Sequence, residues 1–241
     1  MFSIFKKELN TFFSSLTGYL VIAVFLLVNA WFLWIGKGAL NILDGGFASL
    51  SGLFEIAPWL FLFLLPAITM RTIADEKKSG TIELLLAQPI SERQLIIGKY
   101  LAAVAVAWLA LLPTLIYFIS VYHLGNPVGN IDMGGTWGSY IGLFLLAAGY
   151  AAIGVFSSSL TDNQIVAFML SAVGCFFFYL GFDGLAALLG SIDIFLLTLG
   201  INEHYQSLSR GVIDWRDILY FVSLVILFLE AARLKLEARK W

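Results

Sequence analysis

The chain has 241 residues, of which 60% are hydrophobic and 12% charged, and its formal net charge is −2. Its mean hydropathy is +0.91. Soluble domains carry roughly 25% charged residues, so this composition excludes a water-soluble globular protein and predicts an integral membrane protein. The single cysteine, Cys175, excludes an internal disulfide and lies in an apolar run typical of core packing.

The first 15 residues carry apolar side chains at helical spacing. Phe2, Phe5, Leu9 and Phe12 recur along one face, with Lys6 and Lys7 between them. This pattern predicts an amphipathic helix over 1–15 that lies in the membrane interface. The apolar run that follows is about 19 residues long, longer than the core of a cleaved signal peptide, so we expect a retained first span. The helix could be an anchor or a sliding elbow that links this span to cytoplasmic machinery.

Six stretches are candidates for membrane spans, which need about 20 apolar residues each. They are 17–35, 56–70, 100–122, 137–160, 164–182 and 218–229. The last is short and spans only if Asp217 and Glu230 lie near the two surfaces, where flanking charges can snorkel. A seventh apolar stretch, 185–201, contains Asp193. A carboxylate at mid-bilayer costs roughly 2.5–3.5 kcal/mol, so we expect 183–217 to form short re-entrant helices at the outer surface.

The basic residues predict the orientation, because Lys and Arg concentrate in cytoplasmic loops. With six spans and both termini inside, only Lys37, Arg210 and Arg216 of the 14 basic residues fall outside. The inner set is Lys6, Lys7, Arg71, Lys77, Lys78, Arg93, Lys99, Arg233, Lys235, Arg239 and Lys240. The sequence therefore predicts an all-α membrane protein with six spans and cytoplasmic termini.

Residues 71–99 form the one long cytoplasmic loop of this topology. We expect the charged residues 71–78 to extend the second span into water, and Ser79 and Gly80 to end that helix. Thr81 can then cap a short helix with Glu83 in its first turn. Its apolar residues are Ile82, Leu85 and Leu86, and Pro89 ends it. Ser91 and Gln94 have the S-x-x-Q spacing of a capping box, which predicts the start of the next helix. The short helix could dock on a partner or fold back onto the membrane.

Small residues and prolines mark where the spans pack and bend. Gly138 and Gly142 are four residues apart, and Gly154 follows Tyr150 at the same spacing. Such spacing lets helix backbones approach closely in lipid. Pro58, Pro66 and Pro113 fall within the second and third spans, where proline loosens a helix.

A membrane enzyme and a secondary transporter or channel are the two alternative classes of function. A membrane enzyme needs a catalytic constellation, but His123 and His204 lie in predicted outer loops and Asp183 has no second acid at helical spacing. A secondary transporter or channel usually carries ionisable residues deep in its spans, whereas here Asn29 is the main polar exception. No GxxxxGK[ST] sequence occurs, so this chain does not hold ATP in a P-loop. Neither a metal site nor catalytic residues are predicted.

The charged loop resembles the first cytoplasmic loop of ABC-2 type transporter permeases. The matching residues are Glu76, Lys77, Gly80, Thr81, Glu83, Leu85, Leu86, Pro89, Ser91, Gly98 and Lys99. The order of elements is similar as well: an interfacial helix, six spans and outer re-entrant helices. The resemblance therefore covers 1–241 as a single transmembrane domain. It implies a permease subunit of an ATP-driven transporter, expected to be an exporter, in the bacterial inner membrane.

The resemblance also implies a coupling helix over 83–88 that sits in a groove of a separate ATPase. The residues assigned to this contact are Glu76, Gly80, Thr81, Glu83, Leu84, Leu85, Leu86, Gln88, Pro89 and Ser91. ATP and Mg²⁺ would then bind the partner ATPase and not this chain. A second permease subunit, identical or different, and membrane lipid are the other implied partners, and no nucleic acid is expected.

Four further stretches are similar to a narrower group, the GldF family of gliding-motility-associated permeases of the Bacteroidetes. They are IFKKELNTFFSS, GYLVIAVFL, YHLGNPVGNID and SSLTDNQIVAF, beginning at Ile4, Gly18, Tyr122 and Ser158. This resemblance implies a role in the gliding motility machinery.

Overall fold

A computed structural model describes residues 1–86, 90–189, 196–211 and 213–238. Within these ranges the chain is helical and contains no β-strand. The helices are α1 (Phe2–Ser14), α2 (Leu16–Ala30), α3 (Ile42–Gly45), α4 (Ser51–Thr69), α5 (Ala74–Lys78), α6 (Thr81–Leu86), α7 (Glu92–Leu111), α8 (Leu115–Leu124), α9 (Met133–Leu160), α10 (Gln164–Phe176), α11 (Phe182–Leu189), α12 (Ile201–Ser209) and α13 (Trp215–Glu237). The predicted all-α class is confirmed.

Among the described residues, five helical segments are long and apolar enough to cross a membrane. They are Gly18–Ile35, Ser51–Lys78, Glu92–Leu124, Met133–Leu160 and Gln164–Leu188. Each coincides with or contains one of the first five predicted spans to within one residue. The sixth predicted stretch lies inside α13, which has 23 residues. At 1.5 Å per residue α13 is about 35 Å long, against a hydrocarbon core of about 30 Å.

Helix α9 lies at the centre of the bundle and packs against α4, α7, α10, α12 and α13. Its glycines lie where neighbouring helices come closest. A methyl group on Gly138 would lie 2.5 Å from the Leu208 carbonyl oxygen of α12, and one on Gly154 would lie 2.0 Å from Thr69 Oγ1 of α4. The predicted role of these small residues in close helix packing is confirmed.

Several spans contain irregular turns. A 3₁₀ turn at Leu112–Thr114 separates α7 from α8 and includes Pro113, so the predicted loosening of the third span is confirmed. Turns of π-helix continue α2 over Trp31–Ile35 and α10 over Phe177–Gly181. Helix α11 follows this second π turn without a break and includes Asp183. The fifth helical segment therefore extends past its predicted end at 182.

The bundle has two chemically distinct ends. The end built from α1, α5, α6, the start of α7 and the end of α9 carries a dense set of ion pairs, and we refer to it as the charged end. The opposite end carries α12, and we refer to it as the α12 end. Helix α13 joins the two: Asp217 at its start pairs with His204 of α12, and Glu230 near its other terminus pairs with Arg93 of α7.

Candidate functional site

The loop between α4 and α7 has the predicted order of helix, break, short helix and helix. Helix α5 ends at Lys78, and Gly80 follows with φ of +70°, a conformation that glycine adopts without steric cost. Helix α7 begins with a capping box in which Ser91 and Gln94 bond each other's backbone N–H, so this prediction is confirmed. Residues 87–89 lie outside the described part of the chain, and with them the predicted contacts of Gln88 and Pro89.

Thr81 is the first residue of α6 and not its N-cap, so the predicted capping role is wrong by one position. Its hydroxyl lies 2.8 Å from Ser79 Oγ and 3.5 Å from the Glu76 carbonyl oxygen. Thr81 therefore helps to close the turn around Gly80. Glu83 lies in the first turn of α6, as predicted.

Helix α6 has one face in the protein and one face in solvent. Ile82 is completely buried in the core, whereas the side chain of Leu84 is 69% exposed. Leu85 is half-buried, and Thr81 and Glu83 are exposed. The prediction that Ile82 is offered to a partner is wrong, because this side chain anchors α6 to its own bundle. The free apolar side chain is Leu84, while the side chain of Leu86 lies outside the described set.

Ser158 of α9 holds the junction between α4 and α5. The chain leaves α4 at Thr69 and enters α5 at Ala74, which leaves the first backbone N–H groups of α5 without helical partners. Ser158 Oγ accepts hydrogen bonds from the N–H groups of Ile73 and Ala74, at 3.1 and 3.0 Å. The same hydroxyl donates to the Met70 carbonyl oxygen at 3.2 Å. One buried side chain therefore joins the extension of α4 to α9.

Two further side chains of α5 contact the neighbouring spans. Lys77 Nζ donates to the carbonyl oxygen of Ser159 on α9, and Asp75 Oδ1 accepts a hydrogen bond from Gln164 on α10. These contacts attach α5 to the end of α9 and the start of α10. The charged residues of α5 therefore hold it against the bundle, where the sequence predicted an extension into water.

Lys99 is the centre of the charged end. Its ammonium group lies within the bundle, with a side chain only 1% exposed. Nζ is 2.8 Å from Glu8 Oε1, 2.8 Å from Glu76 Oε1 and 2.6 Å from the carbonyl oxygen of Thr72. Lys7 also reaches Glu76 Oε1, at 3.3 Å. A buried ammonium group needs such partners, because desolvation of an unpaired charge costs several kcal/mol.

This cluster joins three helices. Glu8 comes from α1, Glu76 from α5 and Lys99 from α7. Lys99 was predicted only as one more cytoplasmic basic residue, and the cluster was not predicted. The available signal was a lone lysine within the apolar run IIGKYLAAV, since an ionisable residue at such a position needs a partner.

Helix α1 packs closely against α7 at Gly98. A methyl group on Gly98 would lie 3.0 Å from Ile4 Cγ2, so glycine at this position allows α1 to pack against α7. Ile4 is the buried residue of α1, one turn before Glu8 on the same face. Of the predicted interfacial residues, Phe5, Leu9 and Phe12 are half-buried, whereas Phe2, Lys6 and Lys7 are exposed. The helix exists as predicted, but Ile4 and Glu8 were missed as its inward face.

The α12 end contains a second buried polar group. His204 Nδ1 lies 2.7 Å from Asp217 Oδ1, and Nε2 lies 2.9 Å from the Thr198 carbonyl oxygen. The imidazole also stacks on Tyr220 at a centroid distance of 3.9 Å. Asp217 is buried at the start of α13, and His204 provides its partner.

Other polar contacts at the α12 end hold helices together. Asp183 accepts a hydrogen bond from Asn202 at 2.8 Å, and Tyr205 donates to the Phe54 carbonyl oxygen at 2.7 Å. Burial raises the pKa of the Tyr205 phenol, which keeps it protonated as a donor. These contacts join α11, α12 and α4. They give His204 and Asp183 structural partners and do not place them together as a catalytic pair.

The fold and the two polar ends define a multi-pass α-helical membrane protein with a helical loop at its charged end. The family model described as ABC-2 family transporter protein matches residues 2–230, and the chain belongs to this family. It is therefore a membrane permease component of an ABC transporter and does not itself carry out catalysis. A comparison with curated protein sequences gave no significant match.

Proposed function

We propose that this chain couples a separate ABC ATPase to transport through α6, which acts as the coupling helix. The proposal rests on the two faces of α6, one buried in the bundle and one exposed. Ile82 is buried in the bundle, while Leu84 on the same short helix is 69% exposed at the charged end. An exposed leucine on a helix that Ile82 anchors to the bundle suits a pocket on a partner, because apolar anchors that fill pockets dominate binding energy.

In this proposal the ATPase moves α6, and two sets of contacts pass the motion on. One set runs from α5 to α9 through Ser158 and Lys77. The other runs from Glu76 through Lys99 to Glu8 and so to α1, which continues into α2. The helix over 1–15 is then an elbow that links the first span to the loop. This favours the sliding-elbow interpretation of α1 over that of a simple anchor.

We further propose six spans with both termini in the cytoplasm of a bacterial inner membrane. Helix α13 supports the sixth span, since it runs from His204 at the α12 end to Arg93 at the charged end. The distribution of Lys and Arg supports the orientation. Residues 239–241 lie outside the described part of the chain, so Arg239 and Lys240 contribute to this proposal by sequence alone.

The remaining parts of the proposal depend on resemblance. A second permease subunit, export as the direction of transport, ATP and Mg²⁺ on the partner, and a role in gliding motility all follow from similarity to ABC-2 permeases and to the GldF family. The apolar interior of the spans suits a hydrophobic or lipid-like substrate, or a mechanical role without a diffusing substrate.

The test is co-purification of the chain with an ATPase from its native membrane in mild detergent. We expect Leu84→Asp to lower the amount of bound ATPase by about tenfold or more, as expected for an interface hot spot. The control is Leu234→Asp, which places the same charge on a leucine 61% exposed on α13. Equal ATPase binding by both variants and the native chain, or no ATPase with any of them, would contradict the proposal.

A further inference from the structure

The charged end encloses a cavity of about 400 Å³ between α1, α2, α4, α5 and α7. This volume lies in the range of about 300–1,000 Å³ that is typical of small-molecule sites. One part of the cavity is apolar and is lined by Leu20, Val21, Ala67, Ala102, Ala103 and Val106. Three of these residues are alanines, which leave room between the helices. The other part of the cavity is charged.

The charges that line the cavity are balanced. Lys7, Arg71 and Lys99 supply three positive groups, and Glu8, Asp75 and Glu76 supply three negative groups. A simple anion would meet three carboxylates here, and a simple cation would meet three basic groups. A ligand with both charges avoids this conflict, because each of its groups can lie against the opposite sign.

One buried atom shows where the positive group of such a ligand would bind. Glu76 is only 9% exposed and lines the cavity, and its Oε1 is the atom that faces Lys99 and Lys7. Its second oxygen, Oε2, has no hydrogen-bond partner among the residues that the structure describes. This oxygen is itself buried, and a buried carboxylate oxygen without a donor is unfavourable. A small rotation of the Glu76 side chain that brings Oε2 to an N–H group of a ligand in the cavity would satisfy it.

The apolar part gives the ligand its second property. Leu20 and Val21 belong to α2, and Ala102, Ala103 and Val106 belong to α7; both helices are long and apolar enough to cross a membrane. Arg71 is exposed and lines the charged part of the cavity, where a phosphate group can approach it. A ligand with an ammonium group, a phosphodiester and hydrocarbon chains matches all three regions.

We propose that this cavity binds a zwitterionic aminophospholipid. Its ammonium group donates to Glu76 Oε2, its phosphodiester lies against Arg71 and Lys7, and its acyl chains cover the apolar residues of α2 and α7. A lipid with a quaternary ammonium has no N–H to donate, and an anionic lipid with a glycerol headgroup brings no positive charge to Glu76. The site therefore distinguishes lipids by headgroup. This binding does not depend on ATPase coupling.

The experiment counts lipids retained by the delipidated full chain in native mass spectrometry. Phosphatidylethanolamine, phosphatidylcholine and phosphatidylglycerol with identical acyl chains are added separately. We expect one phosphatidylethanolamine per chain at about tenfold lower lipid concentration than either competitor needs. Soluble glycerophosphoethanolamine should compete poorly, because it lacks the chains that cover the apolar part. Equal retention of the three lipids, or full competition by the soluble headgroup, would overturn the proposal.

Variants identify the site. Glu76→Gln and Arg71→Gln should each reduce phosphatidylethanolamine retention to the level of phosphatidylcholine. Arg71 is exposed and lies outside the Lys99 cluster, so Arg71→Gln decides the matter even where Glu76→Gln fails to fold. Lys6→Gln is the matched control, since Lys6 is an exposed lysine of α1 that does not line the cavity. Unchanged retention by Arg71→Gln, or an equal loss with Lys6→Gln, would show that the lipid binds elsewhere.

Discussion

Lys99 Nζ lies 2.8 Å from Glu8 Oε1, although the two residues are 91 positions apart in the chain. This contact attaches the N-terminal helix to the start of the third span. Glu76 shares the same ammonium group, so the position of α1 depends on the loop that follows the second span. The charged end is therefore one connected unit, and its stability depends on a single buried lysine.

Lys99→Met should lower the free energy of unfolding by about 3–5 kcal/mol, because it leaves Glu8 and Glu76 without their buried counter-charge. Thermal unfolding in detergent measures the change. Lys7→Gln is the control: the side chain of Lys7 is 55% exposed, so its loss should cost less than about 1 kcal/mol. Adding Glu76→Gln to Lys99→Met should restore part of the loss, and strictly additive effects would show that the two residues do not interact.

Ser158→Ala should weaken the junction of α4 and α5. The variant removes the acceptor of two buried backbone N–H groups, at a cost of about 1–3 kcal/mol for a donor left unsatisfied. Hydrogen exchange at residues 73–78 should become faster. Ser157→Ala is the matched control, because within the described part of the chain Ser157 Oγ bonds only the Ile153 carbonyl oxygen of its own helix. Equal exchange in both variants would rule out the proposed role of Ser158.

Gly154→Ala should separate α4 from α9. The new methyl group would lie 2.0 Å from Thr69 Oγ1 and 2.8 Å from Thr69 Cβ, so one of the two helices must shift. Overpacking of this kind costs about 1–3 kcal/mol. Gly184→Ala is the control, since no atom of the described residues lies within 4 Å of its added methyl group and alanine favours a helix. If neither variant lowers the melting temperature, α4 and α9 do not pack this closely.

Cysteine labelling of intact cells should show that α13 crosses the membrane. The only native cysteine, Cys175, is buried, so an introduced thiol gives a clean signal. Glu203→Cys on α12 should react with an impermeant reagent from outside, and Lys235→Cys on α13 should react only after the cells are opened. Both positions are exposed in the fold. Labelling of Lys235→Cys from outside would contradict the six-span topology.

Local signals in the sequence predicted much of the fold. Apolar length predicted the first five spans, the Ser91 and Gln94 spacing predicted the capping box, and Gly80 predicted the break before α6. Each of these depends on residues close together in the chain. Ile82 shows the limit, since a helix of six residues carries too little periodicity to indicate which side faces the bundle.

The ion-pair cluster was missed for a different reason. Glu8, Glu76 and Lys99 come from three helices, and no local pattern indicates that their side chains meet. A count of basic residues treats Lys99 as a water-facing charge, whereas its side chain is buried among the helices. The pairing of Asp217 with His204 was missed in the same way, because His204 belongs to a separate helix.

The long separation between Glu8 and Lys99 also has a consequence for synthesis. Ribosomes add about 5–20 residues per second, so Lys99 is made about 5–20 seconds after Glu8. During that interval the carboxylate of Glu8 has no Lys99 to pair with, and the first span is already complete. Helix α1 therefore reaches its final place only after the start of α7 has emerged. The order of translation separates insertion of the first span from closure of the charged end.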